Sequence, residues 1–150
     1  MAERRAAGVR RPALLALMIT VLYGALVTAV DGFIALLGDQ DPVPYADAGP
    51  LVGPGMGLVA CAIVFWAALR GLRRPARAIV RALLAALAVY VLGPLAGALL
   101  YLLGSADAFR PVLFLAHFLL SPFTIAAALI ALLAVALVPA LAASSALREL

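Results

Sequence analysis

Apolar residues fill four long stretches of the chain, and polar residues collect in the gaps between them. About 20 consecutive apolar residues in a helix cover the roughly 30 Å hydrocarbon core of a bilayer. Each of the four stretches is long enough to do so. The pattern predicts helix one over 12–37, with Pro12 in its first turn, and helix two over 51–69. Helix three follows over 76–103 and helix four over 111–138, opened by Pro111 and bent or ended near Pro139. A proline inside helix three (Pro94) and the pair Ser121-Pro122 inside helix four predict kinks, because proline removes a backbone hydrogen bond.

The gaps differ in charge. Gly38 to Pro50 (GDQDPVPYADAGP) carries Asp39, Asp41 and Asp47 and no basic residue. The segment after helix two carries Arg70, Arg73, Arg74, Arg77 and Arg81, and Arg74-Pro75 breaks the chain there. Gly104 to Pro111 (GSADAFRP) is the last short gap, and the tail to Leu150 reads as a short amphipathic stretch. Arg4, Arg5, Arg10 and Arg11 precede helix one, and Arg148 lies in the tail. Only Arg110 falls outside these three places. Cytoplasmic loops collect arginine and lysine, so the alternation predicts an all-α polytopic membrane protein of four transmembrane helices. Both termini are then cytoplasmic, in a bacterial plasma membrane. The start resembles a signal peptide, with Val27-Thr28-Ala29 as a passable cleavage site. Its apolar stretch exceeds the 7–15 residues of such a core, so it is kept as helix one.

Composition narrows the function more than it identifies it. At 67% hydrophobic over 150 residues, the chain lies far above soluble domains and is read as one integral membrane domain, 1–150. The net charge of +4 comes from arginines that flank apolar runs and make no basic face, which argues against nucleic acid. There is no lysine, which removes a phosphate-loop lysine and any Schiff base. Lysine and asparagine are both absent, which points to a GC-rich genome such as an actinobacterial one. One cysteine, Cys61, excludes an intrachain disulfide, and one histidine, His117, leaves no multi-histidine metal site. No nucleophile, metalloprotease or dinucleotide motif occurs. The expectation is a protein without catalysis, cofactor or metal. No internal repeat supports an inverted-repeat transporter.

Asp31 is the one acidic residue inside an apolar run, roughly 9 Å from the end of helix one. A carboxylate at the bilayer centre costs about 2.5–3.5 kcal/mol, less towards the interface. His117 lies at a similar depth in helix four, so neighbouring helices would make an Asp31–His117 pair possible. Thr28 sits a turn from Asp31, and Ser121 and Thr124 follow His117 on one helical face. Two readings fit: a proton- or cation-binding site, or an interface carboxylate with polar residues that join helices.

Gly93 and Gly97 form a GxxxG, extended by Ala86 and Ala82 along helix three. Small residues let helix backbones approach closely, either within this bundle or between two copies. The arginines from Arg70 to Arg81 set orientation and can also hold anionic lipid.

The run Tyr45-Ala46-Asp47-Ala48-Gly49-Pro50-Leu51-Val52-Gly53-Pro54-Gly55-Met56, with Tyr23-Gly24-Ala25-Leu26-Val27 before it, resembles small four-helix membrane proteins of actinobacteria. These form an uncharacterised family, known as a domain of unknown function. The resemblance covers Leu14 through helix four; it implies the fold and carries no activity or site residues. Small multidrug resistance transporters share the outline, but their helix-one carboxylate lies mid-membrane. The GtrA-like proteins share size and topology without the N-terminal Arg-Phe pattern appearing here.

The leading expectation is a non-catalytic accessory or scaffold subunit in a larger or homo-oligomeric membrane assembly. Its partners would be the lipid bilayer and a membrane protein or a second copy. The alternative is a proton-linked small-solute transporter or channel using Asp31 and His117.

Overall fold

The computed structural model describes residues 2–39, 49–73, 77–104 and 109–141. Arg74, Asp41, Asp47 and the C-terminal stretch from 142 lie outside the described residues. Five helices follow one another: α1 (Ala2–Gly38), α2 (Val52–Arg73), α3 (Ala78–Gly104), α4 (Arg110–Leu119) and α5 (Pro122–Ala136). No strand occurs among the described residues. Four helical segments are long and apolar enough to cross a membrane: Pro12–Gly38, Val52–Leu72, Ala78–Gly104 and Pro122–Leu141.

Two boundaries depart from the sequence pattern. The helix containing the first apolar run begins at Ala2, so Pro12 lies inside it and not at its start. The fourth apolar stretch is not one helix. It divides at Leu120–Ser121, where Ser121 takes an extended backbone (φ −71°, ψ 137°) and Pro122 opens α5. The cause is local: the residue before a proline is pushed out of the α region, and proline has no N–H to continue the ladder. The last turn of α4 tightens to compensate, with the amides of Leu120 and Ser121 donating to the carbonyls of His117 and Phe118, both at 3.2 Å. A carbonyl freed at this break finds a side chain, because the Tyr90 hydroxyl of α3 donates to Leu119 O. Interhelical hydrogen bonds of this kind contribute about 0.6 kcal/mol on average and at most about 1.7. Tyr90→Phe is therefore expected to lower stability in mild detergent by about 0.6 and at most about 1.7 kcal/mol, read as a lower thermal midpoint. An unchanged midpoint would show that the bond does not hold α4 to α3.

At the other end of α1, Asp39 takes a positive φ of 48° and stops the helix. Short polar side chains tolerate this left-handed conformation better than bulky ones. Near the end of α2, the Arg70 guanidinium lies over the Trp66 ring, 4.9 Å from its centroid. Past Ala136, Pro139 cannot donate to Val135, which is why α5 ends in a turn before the helical residues to Leu141.

α2 and α3 run antiparallel, Gly55 lying by Leu100 and Gly71 by Arg81, which gives the bundle an arginine end (the α2–α3 connection) and a distal end. α3 packs along both α2 and α5, while α1 packs against α2 and more lightly against α5. α4 lies on the distal part of α3. The arginine half has a continuous core that includes Ala16, Val64, Ala68, Ala82, Ala131 and Val135. A separate distal cluster joins Val52, Ala98, Tyr101, Phe114 and Phe118. Here the Phe114 ring stacks on Phe118 at 4.3 Å and meets Tyr101 at 5.5 Å between centroids.

The pattern of burial differs from that of a water-soluble domain. Alanine and valine share the interior with a few aromatic rings (Tyr23, Tyr101, Phe114), whereas many leucines, Leu22, Leu36, Leu84 and Leu103 among them, are exposed. Lipid tails are as apolar as leucine, so exposed leucines are compatible with a bilayer as the surrounding medium. Close backbone approach through small residues holds such a bundle.

Candidate functional site

Between the two clusters the bundle does not fill. The gap is a cavity of about 390 Å³ bordered by all five helices. α1 supplies Tyr23, Gly24, Val27, Thr28 and Asp31, which recur every three or four residues and so share one face. α2 supplies its glycine-rich start, Gly53 to Gly57, and then Ala60 and Cys61. α3 contributes Val89, Gly93 and Pro94; α4 ends in Phe118; and α5 adds Phe123, Thr124 and Ala127.

The local causes are visible. Below the cavity α1 and α2 are close, since a Cβ built on Gly24 would sit 3.5 Å from Cys61 Sγ. Tyr23 is buried there, and its hydroxyl donates to Ala127 O of α5 at 3.3 Å. Further out, beyond the break at Ser121, α4 packs on α3 and leaves α1 with little contact to it. Gly93 marks the resulting void: it is buried, yet a Cβ there would meet nothing within 4 Å.

Asp31 stands on the wall of this cavity. The residue is half-buried, but its Oδ1 is fully buried and accepts no hydrogen bond. The nearby polar groups do not serve it. Thr28, one turn away, donates its hydroxyl to Gly24 O at 2.9 Å, and the Tyr23 hydroxyl proton is taken by Ala127 O. None of the lining residues is basic. A buried ionised carboxylate requires a positive partner, so this site suits a proton or a cationic group. Among the described residues, no three His, Cys, Asp or Glu side chains come together as metal ligands.

The structure thus brings Asp31, Thr28 and Thr124 to one cavity, and leaves out two residues grouped with them by sequence. His117 is exposed on α4 and does not line the cavity; its ring meets Phe118 edge-on at 5.7 Å. The reason is the amphipathic character of α4, which buries Pro111, Phe114 and Phe118. His117 precedes Phe118 and so points about 100° away from that buried face. Ser121 is buried at the break as the residue capping α5, without a side-chain capping bond and without lining the cavity. The glycine pair of α3 also separates. Gly97 is packed within the chain, where an added Cβ would lie 2.6 Å from Met56 Sδ and 3.0 Å from Phe114 Cε1, while Gly93 borders the void. Ala86 is half-buried. Arg70 and Arg77 are exposed at the arginine end and Arg81 is half-buried there; α2 ends at Arg73.

Several lining residues carry no signal in the sequence that separates them from ordinary apolar filling: Met56, Cys61, Phe118 and Phe123. Tyr23 was legible in principle, because it lies two helical turns from Asp31 on the same face.

A model of a family described as "Family of unknown function (DUF6121)" matches residues 1–149. No curated protein and no solved structure matches the chain.

Proposed function

The chain belongs to this family of unknown function, and from that premise we propose that it is a non-catalytic membrane protein that moves a small solute or cation with proton exchange at Asp31. One observation carries the reading: Asp31 Oδ1 is buried without a partner on the wall of a cavity of about 390 Å³. On sequence alone an accessory or scaffold subunit is the simpler reading. A scaffold has no use for an unpaired carboxylate, which costs up to about 2.5–3.5 kcal/mol within a bilayer. The cavity supplies a use.

The orientation proposed is both termini cytoplasmic in a bacterial plasma membrane, with the distal end outside. Arginines at the opposite end support it, as does Arg70 over Trp66, a pairing suited to the headgroup region. In this orientation the packed alanine-rich core closes the cytoplasmic side and the cavity belongs to the outer half. Passage to the other side then requires rearrangement of the core, either in one chain or in an assembly with a second copy or another membrane protein.

The test is reconstitution into vesicles with an imposed pH gradient. Protein-bearing vesicles should show solute-dependent proton movement above that of protein-free vesicles. Rates no higher than those of protein-free vesicles, for cationic and neutral solutes alike, would contradict the proposal.

A further inference from the structure

The polar groups of the cavity are mostly acceptors. Asp31 offers only acceptor oxygens when ionised, and the Thr28 hydroxyl has spent its proton on Gly24 O, leaving its lone pairs. The Tyr23 hydroxyl has likewise spent its proton on Ala127 O. Thr124 and Cys61 add a hydroxyl and a thiol, and the rest of the wall is apolar or aromatic, including Met56, Pro94, Phe118 and Phe123. An anion would find no basic group there, and a neutral polar solute would leave Asp31 Oδ1 without a counter-charge.

A second observation concerns the way in. The lining residues that remain exposed are Thr28 on α1 and Pro54 and Gly57 on α2. Thr28 is ten residues from the end of α1, about 15 Å along the axis, and Gly57 lies about 7 Å inside α2. An opening at those depths faces acyl chains in the proposed orientation.

We propose that the cavity takes a hydrophobic monocation: one ammonium group held by the Asp31 carboxylate and Thr28 Oγ1, with an apolar body against Phe118, Phe123 and Met56, reached along the α1–α2 seam from the lipid. This rests on the reading of Asp31 as a working site. The size agrees, since small-molecule pockets start near 300 Å³. Aromatic faces also attract a desolvated cation. Ammonium binding and protonation of Asp31 exclude each other. The titratable groups facing the cavity are Tyr23 and Asp31 on α1 and Cys61 on α2; α3, α4 and α5 line it with none.

The test compares three probes of one shape: phenethylammonium, phenethyl alcohol and phenylacetate, titrated into detergent-purified protein by calorimetry. The ammonium should bind roughly tenfold or more tighter than the alcohol, as expected for one charge-assisted pair, and phenylacetate should bind weakest. Asp31→Asn should bring the ammonium down to the level of the alcohol. Gly93→Leu, which fills the void beside a glycine with open space, should remove binding of all three while the protein stays folded. Equal affinities for ammonium and alcohol in the wild type, or an ammonium preference that survives Asp31→Asn, would overturn the ligand class. If the ammonium does not bind but vesicle proton movement still requires Asp31, the ligand class fails and the proton-linked reading stands. If neither occurs, both fail.

Discussion

Replacing Asp31 with Asn is expected to reduce solute-dependent proton movement in vesicles to the level of protein-free ones. The expectation is unusually clean because Asp31 Oδ1 makes no hydrogen bond that the substitution would remove. The variant should therefore fold as well as wild type, or slightly better, since it no longer places a charge inside the bundle. The energetic gain is bounded by about 2.5–3.5 kcal/mol at the bilayer centre and is smaller nearer the interface. Loss of function without loss of stability is the signature of a working carboxylate. Comparison at equal protein load also removes the background from neutral amines that cross lipid unaided. Asp31→Glu keeps the charge and should retain part of the movement. An Asn variant that moves protons like wild type would take Asp31 out of the mechanism; wild type that moves none above protein-free vesicles would return the protein to the accessory reading, and weighing the intact assembly by native mass spectrometry would then look for its partner.

The second large effect separates two glycines four residues apart. Gly97→Ala should destabilise the bundle by about 1–3 kcal/mol, the usual cost of overpacking. Its new methyl would lie 2.6 Å from Met56 Sδ and 2.8 Å from Met56 Cγ, and Phe114 closes the other side at 3.0 Å. Met56 is flexible and borders the cavity, but it also packs on the distal cluster, so moving it aside disturbs that packing, and the buried Phe114 ring has less room to yield. Gly93→Ala should do the reverse and stabilise by about 0.5–1 kcal/mol. Its methyl enters open space, and alanine loses less backbone entropy than glycine in a helix. Thermal unfolding in one detergent measures both. The same sign for the two variants would contradict the placement of the cavity beside Gly93.

These two residues also show where sequence reading stops. A GxxxG identifies two small residues on one helical face, but not what stands opposite each. The neighbours are Met56 and Phe114, at the ends of other helices, and only their placement distinguishes a packed glycine from one beside a void. Asp31 was legible, because an acidic residue in a long apolar run is costly and has few bland explanations. Thr28 followed from helical spacing. His117 did not, because its grouping carried one helical stripe through Ser121 to Thr124, and hydrophobicity runs unbroken through Leu119–Leu120 with no sign that the register ends there. Ser121-Pro122 was legible as a kink; that the helix breaks completely there, with Tyr90 donating to the carbonyl of Leu119, was not. The four apolar stretches were readable because their length alone sets them apart. The cavity was not, because it arises beyond that break, where α4 packs on α3 and has little contact with α1.

The most direct measurement of the central claim is carbodiimide labelling of Asp31. Dicyclohexylcarbodiimide is itself apolar, adds to a protonated carboxyl and rearranges to a stable acylurea. Reconstituted protein would be treated, digested and mapped by mass spectrometry. The account predicts an adduct on Asp31, diminished by phenethylammonium and by the cavity-filling Gly93→Leu. An Asp31 left unmodified, or labelled to the same extent with the cavity filled, would contradict it.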